Sequence, residues 1–318
     1  MGSFSVGRKE VLKRYNHLSK ELWDSVDSLF PVRITRSWYE RMGDAHSPLA
    51  LQVLPSDFEL TTASSLSQDP VGEHSKKPVP WVIQKHDDRA LLLLTKRCHL
   101  YCRYCFRRAH GEVLDPTKEE LNNAISWLNT QELEEVILTG GDPLAARPKV
   151  LFETLEQLKA PVLRIHTRAP ITAPSRIRSE LIKKLAAFQN LWVIVHCNHP
   201  EELSTPVREV LGECVKSGIP VLNQSVLLKG VNDNSSVLIK LMRELVRIRV
   251  YPYYLHHTDP VVGAGHFQVS ISEGLKIYAE MKNHLSGMSL PRYVIDLPDG
   301  AGKIDVEQFA RMKRDTDI

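Results

Sequence analysis

Cysteine is scarce in this chain: there are five in 318 residues, and three of them fall between positions 98 and 105. Cys197 and Cys214 stand apart, so no disulfide framework of the extracellular kind can be built, and a reducing, cytoplasmic setting is expected. An excess of charge of one sign is also lacking. A formal net charge of +3 gives no electrostatic basis for binding nucleic acid or an anionic membrane. Long apolar runs are missing as well: none approaches the roughly 20 residues of a membrane span. The opening MGSFSVGRKEVLKRYN lacks the apolar core of a signal peptide.

What is present suits an enzyme. With 42% hydrophobic and 25% charged residues, the chain can bury the core of one large domain plus an appendage. Residues 11–30 carry Leu12, Leu18, Leu22, Val26 and Leu29 at helical intervals, and Pro31 ends that helix. A second short helix is expected over 37–42, and residues 61–80, rich in Ser, Thr, Pro and Asp, read as an irregular connector. From Trp81 onward, strand-like runs at 90–95, 135–139, 162–167, 191–197, 220–228 and 251–255 alternate with helix-like segments at 118–129, 149–158, 175–188 and 235–248. Six such units predict an α/β fold with a parallel sheet and right-handed crossovers, too few for a complete eight-stranded barrel. The expected divisions are a helical cap and connector at 1–80, the α/β unit at 81–286 and a C-terminal segment at 287–318.

The run Ala90-Leu91-Leu92-Leu93-Leu94 reads as a strand buried on both faces. It delivers Cys98, Cys102 and Cys105 into a loop past its C-terminal end, where α/β sheets place their chemistry. Three thiolates spaced C-x3-C-x2-C suit a [4Fe–4S] cluster better than structural zinc, which takes four protein ligands in two close pairs. The spacing alone leaves two alternatives: chance clustering of buried thiols, and zinc completed by His99 or His110. After the next strand comes Gly140-Gly141-Asp142-Pro143-Leu144, whose glycines permit close backbone approach or positive φ and whose Asp can accept from an ammonium group. Polar residues recur at the following strand ends, in Arg164-Ile165-His166-Thr167-Arg168, His196-Cys197-Asn198-His199-Pro200 and Asn223-Gln224-Ser225. Cys197, with no second cysteine near it in sequence, reads as a packed thiol. Near the C-terminus a strand over 293–297 leads into a glycine-bearing loop, DLPDGAGK, that ends in Lys303.

Tyr104 completes C-x3-C-x-aromatic-C, which resembles the radical S-adenosylmethionine (radical SAM) superfamily. The phrase CRYCFRR, together with GGDPL, HxNHP, NQSVLL and the D-x-P to lysine segment, narrows the resemblance to the lysine 2,3-aminomutase family. The resemblance implies a partial (β/α)6 TIM-like barrel with an N-terminal helical cap and a C-terminal lysine segment. It implies a [4Fe–4S] cluster on Cys98, Cys102 and Cys105, with S-adenosyl-L-methionine (SAM) at the open iron. Gly140, Gly141 and Asp142 would address the methionyl end of SAM, and His196 and Gln224 its adenosyl part. Pyridoxal 5′-phosphate (PLP) would be bound through Lys303, with Lys85 and Arg89 neutralising its phosphate. Arg107 matches the arginine at the substrate carboxylate, while Asp259 and Asp296 match the acids at the distal ammonium. Such charges describe a long amino acid with a cationic side chain.

The implied activity is that of an isomerase moving the 2-amino group of L-lysine to C3. One electron from the reduced cluster cleaves SAM to a radical that no side chain could supply, so the protein's work is positioning and exclusion of water. Several features depart from the family. Lys85 and His86 replace an Arg-Tyr pair of several members, Asp299 and Ala301 interrupt the glycine run, and no cysteine follows Cys214 to build the C-terminal zinc site of the long clostridial-type members. The short form and RSWYERM resemble the branch that supplies β-lysine for elongation factor P, whereas DLPDGAGK resembles the free-lysine enzymes. Expected partners are a small amino-acid substrate, a flavodoxin- or ferredoxin-type reductant and further copies of the chain. The reading from a different class, an iron–sulfur electron carrier or sensor, would need a fourth cysteine and no pyridoxal lysine.

Overall fold

The strand-like runs pair in chain order. The computed structural model describes residues 4–61, 63–109, 111–298 and 302–316, so His110, Asp299, Gly300 and Ala301 lie outside the described residues. Nine strands form one sheet, in the order Val82–His86 (β1), Arg89–Thr95 (β2), Glu135–Gly140 (β3), Val162–Thr167 (β4), Leu191–His196 (β5), Val221–Val226 (β6), Tyr251–His256 (β7), Arg292–Leu297 (β8) and Gly302–Asp305 (β9). Strands β2 to β8 run parallel, and β1 and β9 are antiparallel edges. The parallel strands thus number seven, one more than the six units counted from sequence. The seventh is β8, which sets Tyr293 opposite Leu255 of β7.

Burial explains the pattern. Leu92 and Leu94 of β2, Leu138 of β3 and Ile165 of β4 are buried, because helices cover what would otherwise be the wet face of a parallel sheet. The helices earn their place by apolar spacing: Lys118–Thr130 buries Leu121, Ala124, Ile125 and Leu128, and Ser235–Arg247 buries Leu238, Leu241, Met242 and Leu245. Each such leucine contributes about 1.5–3 kcal/mol of transfer free energy.

The cap differs from expectation in one respect. Residues 11–30 form two helices, Arg8–Arg14 and Lys20–Leu29, because Ser19 caps the second by accepting from the Leu22 amide at 3.0 Å. A side chain that satisfies a helix N-terminus locally competes with continuing the first helix, whatever the apolar spacing.

Among the described residues β1 and β9 form no ladder with each other, so the barrel is open between them. Side chains and the connector span the gap instead. Lys85 Nζ donates to Asp296 Oδ1 at 2.9 Å and to the Val71 carbonyl at 2.6 Å. The connector joins in through Ser67, which bridges to Val261 and whose amide donates to the Pro260 carbonyl at 2.8 Å.

Candidate active site

The cysteine loop is clamped from below by the cap. Arg103, fully buried, donates to both oxygens of Glu59 and to the carbonyls of Phe30 and Pro31, and Arg108 donates to the same Glu59 at 2.6 Å. Both guanidinium groups lie about 5 Å from the ring centre of Phe30, at 5.0 and 5.3 Å. The arginines of CRYCFRR that flank the third cysteine therefore hold the loop on the cap. Glu59 was invisible as a functional residue because it lies 44 positions before Arg103.

Three thiols share this loop. Burial pushes Cys98 well above the usual thiol range, with Asp142, Cys105 and Cys102 adding to the effect, and burial with Cys102 takes Cys105 up to about 11. Groups that repel one another's negative charge need a positive centre between them, and a cluster supplies it while releasing their protons. Among the described residues no three His, Cys, Asp or Glu side chains converge on a single ion, a convergence that a cluster does not require, because each thiolate takes a different iron. His99 is engaged elsewhere, its Nε2 lying 3.2 Å from the Leu144 carbonyl.

Gly140 and Gly141 are glycines because of a close approach, and the partner is the cysteine loop's own backbone. A Cβ on Gly140, whose φ is +118°, would collide with the Thr95 carbonyl, and one on Gly141 with that of Arg97. The amides of Gly141 and Asp142 bond those carbonyls at 2.6 and 2.8 Å. Asp142 accepts from the Leu144 amide, the Thr167 hydroxyl and the Arg168 amide, and so ties the ends of β3 and β4 together.

Deeper in the barrel, Gln224 of β6 gathers three histidines. Its Nε2 donates to His196 Nε2 at 2.7 Å and His166 Nδ1 at 3.3 Å, and its Oε1 lies 3.3 Å from His256 Nε2. Burial lowers all three, His196 and His256 to about 3 and His166 well below its usual value. They are neutral imidazoles at physiological pH, built to hydrogen-bond and not to trade protons. Among the described residues the buried Nε2 of His166 has no hydrogen-bond partner. Cys197 is a packed thiol, fully buried, as expected.

The charged residues meet at the open edge. Lys303 lies on β9 directly opposite Asp296 of β8, not at the end of a loop, and its Nζ donates to Asp296 Oδ2 at 2.8 Å. The strand begins at Gly302, whose φ of +73° favours glycine and whose missing Cβ leaves room for His86 Cε1, 2.6 Å from where a Cβ would be. Burial alone would raise Asp296, but Lys303 and Lys85 outweigh it and hold the carboxyl below its usual value. Among the described residues no cation is paired with Asp259, and burial and then the nearby Asp296 push it up to about 7, against the opposing pull of Lys303 and Lys85. Arg89 pairs with exposed Asp88 at 2.8 Å, yet together with Lys303 and Lys85 it also helps lower His86, after burial. Arg107 donates to both oxygens of Glu73, at 2.9 and 2.7 Å, and to the Thr139 hydroxyl at 3.0 Å. Glu73, on the connector, was missed from sequence because a lone acid in an irregular stretch carries no signal.

These groups form one electrostatic neighbourhood. Arg107 and Lys303 both lower His166, and Glu73 and Lys303 both act on Asp259. Residues 92–242 match the Radical SAM superfamily. The chain is 37% identical over 309 residues to the L-lysine 2,3-aminomutase of Acetoanaerobium sticklandii, covering 93% of this chain and 75% of that protein. It is 38% identical over 303 residues to the L-lysine 2,3-aminomutase of Escherichia coli, covering 91% and 87%. Against that of Buchnera aphidicola the figure is 39% over 288 residues, covering 88% and 85%. Identity of 37–39% over 88–93% of the chain is the ground on which it belongs to the lysine 2,3-aminomutase family.

Proposed function

We propose that the chain is a radical SAM, PLP-dependent isomerase that converts L-lysine to β-lysine by moving the 2-amino group to C3. One observation carries the reading: two carboxylates, Asp259 and Asp296, stand beside Lys303, while Arg107, two residues past Cys105, acts on the same histidine as Lys303. A substrate with a carboxylate at one end and an ammonium at the other fits between such charges. Cys98, Cys102 and Cys105 would hold the cluster. Lys303 would hold PLP, with the cations Lys85 and Arg89 on either side of His86 suited to a phosphate. When bound, the cluster and SAM supply hydrogen-atom abstraction, and PLP carries the migrating nitrogen.

The chain's own residues orient and exclude. Arg107 would take the substrate carboxylate in place of Glu73, which occupies the guanidinium fork in this structure, with Thr139 helping to fix its direction. Asp259 and Asp296 hold the far ammonium, and the neutral His166, His196 and His256 line the interior without offering acidic protons. Anaerobic incubation with reductant, SAM, PLP and candidate amino acids, followed by separation of α- and β-isomers, tests the proposal. Formation of β-lysine that requires both SAM and PLP is the expected result. Absence of a β-isomer from every amino acid tried, in protein carrying a full complement of iron, overturns it.

A further inference from the structure

Arg168 follows β4 and is buried behind the cysteine loop. Its Nη1 donates to Cys102 Sγ at 2.8 Å. Its Nη2 donates to Gln52 Oε1 at 2.6 Å and Glu202 Oε2 at 3.0 Å, and its backbone amide donates to Asp142 Oδ2 at 2.8 Å. Its guanidinium lies 4.9 Å from the ring centre of Trp38 and 5.5 Å from that of Tyr104. A cation held through both of its terminal nitrogens and aimed at one ligand sulfur does more than fill space. The fold has placed a charge-assisted hydrogen bond on a single thiolate.

We propose that Arg168 sets the reduction potential of the cluster by stabilising its reduced form through Cys102. This rests on the reading of Cys98, Cys102 and Cys105 as the cluster ligands. Reduction adds negative charge that spreads onto the ligand sulfurs, so a guanidinium donating to one of them favours the reduced state. Hydrogen bonds to the sulfurs and local charge are among the levers by which proteins set such potentials. Glu202 moderates the effect: it anchors the guanidinium and offsets part of its charge. Arg168 is thus a tuning residue that acts through Cys102, whatever its distance from the substrate.

The test is a redox titration of the reconstituted protein, mediated by viologen dyes and followed by electron paramagnetic resonance of the reduced cluster. Arg168→Met and Arg168→Gln remove the charge, Arg168→Lys keeps it, and Arg41→Met removes a neighbouring guanidinium, one that lies over Trp38. Loss of the charge should shift the ratio of reduced to oxidised cluster about tenfold at fixed potential, a midpoint about 59 mV more negative. Arg168→Lys should recover most of that shift, and Arg41→Met should show none. An unchanged midpoint in either charge-removing variant with full iron overturns the proposal. So does failure of both to load iron while the parent protein loads it, since Arg168 would then hold the site together and not tune it. A parent protein without a cluster is a different failure, that of the ligand assignment itself.

Discussion

Asp259 is a carboxyl group that burial and the nearby Asp296 push up to about 7, so in its proposed role at the substrate's ammonium it would make binding pH-dependent. Lysine's own ammonium stays charged through this range, so its pairing with Asp259 follows the ionised fraction of the acid. KM for lysine should fall about tenfold between pH 6 and pH 8. Asp259→Asn should flatten that profile, and kinetics across the range would show it. Folding stability has the opposite interest. The folded pKa lies above the ordinary 3.8, so the group's contribution is present below that value and is lost as pH rises through about 7. Asp259→Asn should therefore stabilise the ligand-free protein at pH 8, by no more than a few kcal/mol at about 1.4 per pKa unit and read as a higher Tm, and have little effect near pH 4. At the same scale, Cys98→Ala, Cys102→Ala and Cys105→Ala should each lose the cluster, while Cys214→Ala, in the helix Thr205–Lys216, should keep it. Iron analysis of the reconstituted variants separates them.

The site's chemistry was legible where it sits in contiguous stretches, and its supports were not. Three cysteines within one loop stand out as a group, because the ligands of a cluster can lie close together in sequence, whereas Lys303 after DLPDGAG stood out only through the family resemblance. Glu59 and Glu73 reach their arginines across 44 and 34 positions, and nothing local marks either acid. The β8–β9 hairpin fell between these cases. Asp296 and Lys303 are only seven residues apart, but the short strand that sets Lys303 opposite Asp296 was read as loop. Glu59 gives this scale its prediction. It is buried with Arg103 and Arg108 and serves as the carboxylate partner for both, so Glu59→Gln would leave two buried guanidinium groups without a counter-charge. Breaking a buried pair in this way costs about 3–5 kcal/mol. Chemical denaturation should register the loss, and iron loading should fall with it because the cysteine loop is what Glu59 pins to the cap.

Across the whole molecule, charge gathers at the open edge of the barrel, where the proposed specificity would be set. Asp296 serves two cations at once, Lys85 from the first strand of the sheet and Lys303 from the last, so the two edges of the sheet meet on one carboxylate. A lysine nitrogen taken up by an aldehyde no longer carries an ammonium charge. Binding of PLP at Lys303 would therefore free Asp296 Oδ2 for another cation, and the substrate's ammonium is of the right kind. On this account PLP should raise the affinity for lysine more than that for norleucine, its neutral counterpart of similar length, although both offer a 2-amino group to the cofactor. Asp296→Asn should reduce the preference for lysine over norleucine by about tenfold to a hundredfold, the equivalent of one charge-assisted hydrogen bond of roughly 1.5–3 kcal/mol. Arg107→Lys should weaken both amino acids alike, because a point charge would replace the fork at the carboxylate they share. Competition binding with the two amino acids on the two variants distinguishes these patterns. An unchanged ranking in Asp296→Asn would mean that the acid serves only to join β1 to the β8–β9 hairpin, and that the ammonium is held elsewhere.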